Sequence, residues 1–261
     1  MRIAATLLLV AFFAASAAAQ PSPPASQQPD AIVATPNRPT VTNTADTTQR
    51  GVLELEFGIY SASRQQALQG LLKFGLFRDL ELQWAGNPWQ HDADAHQAGV
   101  SDNLAGFRWR FLHQGKWKPT LSFQYNVSLP SASGTLGTDH VGHVVTLLAS
   151  KDLPAKFHLD ANLNYQLFGR PGGYDHNWLP DFTLSRQLTD KWSLSMEFSG
   201  YTRANAATPA VVQNLWAVGY AVKPRLVLDS AVQFRMAGPV PTVAYLGGFT
   251  YSIADLYRHR R

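Results

Sequence analysis

The chain contains no cysteine, which excludes a disulfide scaffold, a thiolate metal site, a catalytic thiol and a lipidated cysteine anchor. Charge is scarce as well. Only 15% of residues are Asp, Glu, Lys or Arg, against about 25% in an ordinary soluble domain. Beyond the N-terminus no apolar run approaches the roughly 20 residues of a spanning helix, which excludes a polytopic helical membrane protein. Lys and Arg form no cluster, so the net charge of +4 is not a nucleic-acid footprint. What is plentiful is aromatic: 7 Trp, 9 Tyr and 14 Phe in 261 residues. Mean hydropathy is nevertheless only −0.15. Few charges, many rings and no long apolar run together describe the transmembrane β-barrel.

The first residues read as a signal peptide over 1–19. Arg2 supplies the basic start, Leu7 to Phe13 the apolar core, and Ala17 to Ala19 the small-residue cleavage site. Residues 20–50 follow, rich in Pro, Ser, Thr, Gln and Ala. Such composition buries little side-chain surface and predicts a flexible periplasmic segment. The same segment, attached at the first strand, is also expected to occupy part of a lumen. Periodic sequence runs over 51–253, and a short basic tail over 254–261 completes the chain.

The period over 51–253 is two, not 3.6. Leu121, Phe123, Tyr125, Val127 and Leu129 alternate with Thr120, Ser122, Gln124, Asn126 and Ser128. Phe157 to Leu167 repeats the pattern with His158, Asp160, Asn162, Asn164 and Gln166 as the polar set. Runs of this length suit tilted strands that cross a bilayer in about 9–11 residues. Further runs bring the expected count to twelve strands in an all-β, antiparallel up-and-down barrel. Facing is not assignable over 141–150, 178–187 and 211–221. Connections near 78, 113–118, 152–156, 188–191 and 222–225 read as short. Those near 61–68, 85–99, 130–140, 168–177 and 202–210 read as longer, as in a barrel with short periplasmic turns and long external loops.

The two faces differ in chemistry. One is aromatic and nearly free of charge. The other carries Glu54, Glu56, Lys73, Glu81, Arg108, Arg110, Asp160, Asp181, Glu197, Asp229 and Arg235. In lipid each charge would cost on the order of 2–4 kcal/mol, so these eleven side chains are expected to line the lumen. Two readings stay open for them: a polar lining that shapes solute passage, or a paired ladder that plugs the barrel. No catalytic or metal site and no cofactor is expected. His91 and His96 with Asp92 and Asp94 read as a solvated loop. His140 and His143, three apart on a strand, face opposite sides. No Gly-x-Ser-x-Gly elbow or Lys-Ser/Thr phosphate loop occurs.

Asn37-Arg38-Pro39-Thr40, followed by Gln49-Arg50-Gly51-Val52-Leu53-Glu54-Leu55-Glu56-Phe57-Gly58, resembles the opening of a Gram-negative outer-membrane barrel family. Its members are described as transporters or "MetA-pathway of phenol degradation" proteins. Leu72 to Leu76, Asp79 to Leu82, Gly99 to Leu104 and Leu129-Pro130 are similar to later motifs of that family, in the same order. Asn37 stands where the family usually has Asp. Gly248 to Ile253 resembles the C-terminal strand read by the barrel-assembly machinery, with Ile253 in place of the usual Phe. The resemblance implies an outer-membrane transporter-like barrel, embedded in lipid and passing a small, aromatic or hydrophobic solute. The alternatives are a closed structural or ligand-binding barrel and a soluble secreted lipid-binding barrel.

Overall fold

The computed structural model describes residues 31–206 and 208–257. The expected signal peptide over 1–19 lies outside the described residues, as do residues 20–30. The strands are β1 (Val52–Ala62), β2 (Gln65–Phe77), β3 (Leu80–Asp92), β4 (Gln97–Gly99), β5 (Asn103–Leu112), β6 (Thr120–Leu129), β7 (Gly142–Leu153), β8 (Phe157–Arg170), β9 (Gly173–Gln187), β10 (Trp192–Tyr201), β11 (Val211–Lys223), β12 (Leu226–Ala237) and β13 (Val243–Asp255). Twelve of them form the wall, as the alternation predicts. β4 is a three-residue strand that pairs only with the outer end of β3.

Successive wall strands pair antiparallel, and β1 pairs with β13 from Val52↔Asp255 to Ala62↔Ala244. The sheet therefore closes on itself. Closure satisfies every interior ladder without an edge, which is the condition for crossing hydrocarbon with strands. Wall strands of 10 to 15 residues match or exceed what the bilayer needs. Two connections expected to be long are not loops at all. β1 and β2 are joined by residues 63–64, and β8 and β9 by residues 171–172. A hydrogen-bonded ladder has no reason to stop where lipid stops, so these hairpins continue outward. Gly172, at φ +76°, makes the tight turn between β8 and β9. The connections over 93–102, 130–141 and 202–210 stay long.

The period of two sorts the side chains. Ile59, Leu72, Leu82, Trp84, Leu147, Leu163, Phe182, Trp216 and Leu228 point outward and are largely exposed. Apolar surface on this scale is out of place in water and belongs in hydrocarbon. Rings gather toward both rims: Trp192 against Tyr220 at 4.6 Å near the short turns, and Tyr165 against Trp178 at 4.7 Å near the long loops. The strands with unassigned facing now have an explanation. β7 and β11 turn Leu148, Val211, Leu215 and Ala217 inward, where they are buried. With apolar residues on both faces the alternation disappears. Leu215 and Ala217 pack with Ala231 and Leu246, flanked by Tyr60, into an apolar strip of the inner wall.

The exposed outer face generates a prediction. Leu147→Arg, mid-strand on β7, should destabilise the barrel by about 2–4 kcal/mol in lipid vesicles. Reversible denaturant unfolding in vesicles measures it. A change below about 0.5 kcal/mol, the usual effect of a water-exposed substitution, would place that face in water.

Candidate functional site

The described residues before β1 run inside the barrel. The flexible segment expected over 20–50 is, over 31–50, a loop without helix or strand that lies across the lumen. Its ends lie close together: Val33 N donates to Gln49 Oε1 at 3.0 Å. Buried within it are Asn37, Thr42, Ala45, Thr47 and Thr48. Such a loop carries backbone N–H groups with no ladder to join, and each must find an acceptor.

Glutamates of the strands provide those acceptors. Glu54 accepts Thr35 N, and Glu56 accepts both Asn37 N and Arg38 N, each at 3.0 Å. Glu81 accepts Thr48 N at 2.6 Å, and Glu197 accepts Thr42 N at 2.7 Å. Carbonyls of the loop are met by cations and hydroxyls. Lys73 Nζ reaches Thr35 O at 2.5 Å, Arg108 Nη1 reaches Asp46 O at 3.0 Å, and Ser122 Oγ donates to Ala45 O.

The strand charges also pair among themselves. Lys73 Nζ lies 2.7 Å from Glu54 and 2.5 Å from Glu56. Glu81 and Arg108 are register partners on β3 and β5, with 4.0 Å between Nη1 and Oε1. All five side chains are at most 1% exposed. This is the base of the loop. Its tip crosses to the opposite wall, where Thr42 meets Glu197 and Ala45 N donates to Ser150 Oγ at 2.7 Å. At the tip no lysine or arginine forms an ion pair with Glu197 or Asp181 among the described residues. Asp181 accepts Asn164 Nδ2 at 2.8 Å.

Arg38 ties the base to the neighbouring strands β2, β13 and β12. Its guanidinium donates to Gln69 Oε1 at 3.1 Å and to Gly247 O at 3.3 Å, and lies 3.5 Å from Asp229. The seat is made by two register-paired glycines, Gly58 and Gly248. A Cβ on Gly58 would stand 2.3 Å from the guanidinium, and one on Gly248 would stand 2.7 Å from it. The Arg-Pro and Leu-Glu motifs of the sequence therefore form one contact set.

The remaining predicted residues are placed less deeply. Arg110 ties Asp46 of the loop to Asp79 of the β2–β3 turn, both at 2.8 Å. Arg235 is exposed at the long-loop rim, where it donates to Val240 O and Thr242 Oγ1. Asp160 faces inward between His158 and Ser150. There the Ser150 hydroxyl donates to the Asp160 carboxylate, and the imidazole bonds to Asp152 and Asp160 rather than to the hydroxyl. His143 lies on the outer face between Tyr125 and Tyr174, away from His140. Among the described residues no group of three or more His, Asp or Glu could hold a metal. Sequence reasoning missed Ser122 and Ser150 as contacts of the loop. Their parity with the charged positions was the available signal.

Below the loop, toward the short turns, the lumen keeps a cavity of about 940 Å³. The loop forms one side of it and β8 to β12 the other, from His158 and Asp160 round to Asp229.

Two predictions follow from these charges. Lys73→Met leaves Glu54 and Glu56 buried without their cation and should cost about 3–5 kcal/mol in an unfolding titration. Near-unchanged stability would show that water reaches the pair. The second concerns Asp79, which lies in a turn outside the spanning strands. Partial burial pushes its carboxyl upward, but the hydrogen bond and charge of Arg110, helped by His113, hold it below the usual range. A depressed folded value means stabilisation that is complete above the unfolded value, about 3.9, and is lost as pH falls through the folded one. Asp79→Asn should therefore be less stable than the parent at pH 6, with the gap closing below about pH 4 in unfolding curves. A gap independent of pH would contradict the pairing.

Solved structures share this fold. The COG4313 outer membrane channel from Pseudomonas putida F1 has a TM-score of 0.64 and 11% identity, over 82% of this chain and 99% of that one. The NanC porin has a TM-score of 0.59 and 10% identity, over 77% and 100%. The KdgM porin has 0.55 and 9%, over 77% and 99%. No curated protein shows significant sequence similarity. A family model described as "Putative MetA-pathway of phenol degradation" matches residues 36–253. That span takes in both the lumen loop from Pro36 and the whole wall to Ile253, and the chain belongs to this family.

Proposed function

We propose that the protein is a passive outer-membrane channel for small solutes, with its lumen constricted by residues 31–50. The observation that carries this reading is the cavity of about 940 Å³ kept inside a barrel whose outer face is apolar. A barrel built only for stability would fill such space, since interiors pack to near-crystalline density. Eight of the eleven predicted charges then act in two ways. Glu54, Glu56, Lys73, Glu81 and Arg108 fix the base of the constriction, while Asp160, Asp229 and Arg110 border the open space.

The loop is held unequally. Its base sits on buried ion pairs, whereas its tip rests on hydrogen bonds to Glu197 and Ser150. Displacement of the tip over Thr42–Ala45 is the least costly way to widen the passage. Exchange of hydrogen bonds for water costs about 0.5–1.5 kcal/mol each, and more where a carboxylate is the acceptor. The reading includes no enzymatic activity. It includes residues 1–19 as the export signal and β13 as the strand presented to the assembly machinery. Phe249, Tyr251 and Ile253 alternate there with Thr250 and Ser252.

The alternative, a closed barrel without transport, is favoured by the depth of the base. Planar-bilayer recording separates the two. Removal of residues 31–48 should raise single-channel conductance several-fold over the parent. Equal conductance would show that the loop does not limit passage, and absence of any conductance in both forms would establish the closed barrel.

A further inference from the structure

The cavity below the loop has a chemistry of its own. Its charged groups are answered within the protein. Arg38 faces Asp229, Arg110 holds Asp46 and Asp79, and His158 lies 2.7 Å from Asp152 and 3.0 Å from Asp160. Arg38, Arg50, Arg78, Arg110 and His158 line the space or its rim together with Asp46, Asp160 and Asp229, and Asp79 and Asp152 pair with Arg110 and His158 from beside it, so five basic groups meet five carboxylates and little net field remains for an ion. Between them the wall carries hydroxyls at Thr183, Ser185, Ser193 and Ser195, faced by Thr40 and Thr44 of the loop, beside an apolar stretch at Ala217, Val218 and Val227. Ser185 and Ser195 lie 2.8 Å apart across β9 and β10. Asp229 Oδ1 is buried without a hydrogen-bond partner. No Phe, Tyr or Trp is among the lining residues, although the chain is rich in them, and the one ring there, the His158 imidazole, is held between two aspartates.

A charged solute would have to compete with pairs already made. A flat aromatic solute would find no Phe, Tyr or Trp to stack on, and would leave the hydroxyls and the Asp229 oxygen unanswered. Burying such groups without partners is costly. A solute with several hydroxyls both donates and accepts, and so answers hydroxyl and carboxylate oxygen together. The volume is at the upper end of the roughly 300–1,000 Å³ of small-molecule sites. We propose that this chamber is a binding site for uncharged, polyhydroxylated molecules of monosaccharide to disaccharide size. The proposal deepens the channel reading and rests on it. It also departs from the aromatic or hydrophobic solute that the sequence resemblance implies.

The test uses the full mature chain in planar bilayers, with glucose, sodium benzoate or phenol added on the short-turn side. Glucose should block the ionic current in a concentration-dependent manner, while benzoate and phenol should not. Ser185→Ala with Ser195→Ala removes two hydroxyls that do not hold the loop, and should raise the half-blocking glucose concentration about tenfold, as expected for the loss of two modest hydrogen bonds. Block by phenol or benzoate but not by glucose overturns the inference and leaves the channel standing. Glucose block unchanged in the double variant overturns it too, because the sugar then binds elsewhere. If no current flows, the channel reading fails, and calorimetric titration of glucose into the detergent-solubilised protein decides the chamber alone. Heat that saturates and weakens in the double variant supports the site, and no heat overturns it.

Discussion

A strandless segment inside a membrane barrel must have its backbone amides answered by side chains. Apart from a single bridge between Arg50 and Gly75, residues 31–50 do not join the ladder, because the wall is already closed by β1 and β13. Five of the loop's N–H groups, from Thr35, Asn37, Arg38, Thr42 and Thr48, are taken by four glutamates. A carboxylate accepting an N–H forms a charge-assisted bond, stronger than a neutral one. It also gains partial positive charge without a full cation. This explains why four glutamates are tolerated in a low-dielectric interior where Lys73 and Arg108 are the deepest cations. Prolines at 36 and 39 fit the same constraint, since each removes one donor that would otherwise need an acceptor.

The interaction divides the lumen. Near β1 to β5 the amides, glutamates, Lys73 and Arg108 form one network, in which removal of any member strands the others. At β7 to β10 the contacts are single hydrogen bonds, to Glu197, which has no ion pair behind it, and to Ser150, which is backed by Asp160 and His158. Anchoring strength therefore falls from base to tip along one continuous loop. A hinge needs no special residue when the gradient of attachment already decides which end moves.

Much of this was legible in the sequence. Strand number, the closed antiparallel topology and the inward direction of the charges follow from a period of two joined to the cost of charge in lipid. Where the period failed, the reason is local. Leu148, Leu215 and Ala217 are apolar lumen residues packed on their own neighbours, so β7 and β11 read as featureless apolar runs. Loop lengths misled at 61–68 and 168–177, because a turn at 63–64 or 171–172 can sit at the end of strands longer than the bilayer. The state of residues 31–50 was the least legible. Composition reports how much side chain a segment can bury, and this segment buries mainly backbone. Its partners were visible as a surplus of glutamates on β1 and β3, but the sequence offered only Lys73 and the arginines to pair with them.

The position of charge in the lumen follows the path of the loop. Glu54, Glu56, Glu81 and Glu197 stand where an amide of residues 35–48 passes within hydrogen-bond reach. Where the loop does not reach, on the short-turn halves of β9 and β10, the inward residues are Thr183, Ser185, Ser193 and Ser195. A carboxylate there would have neither amide nor cation, whereas a hydroxyl can pair with its neighbour, as Ser185 and Ser195 do. The two aspartates that do border this space, Asp160 and Asp229, each have a basic partner, His158 and Arg38. The charges of the chamber are thus paired off, and the stretch of β9 and β10 beyond the loop's reach is wettable without being ionised. A surface with those properties suits a solute that is itself neutral and rich in hydroxyls.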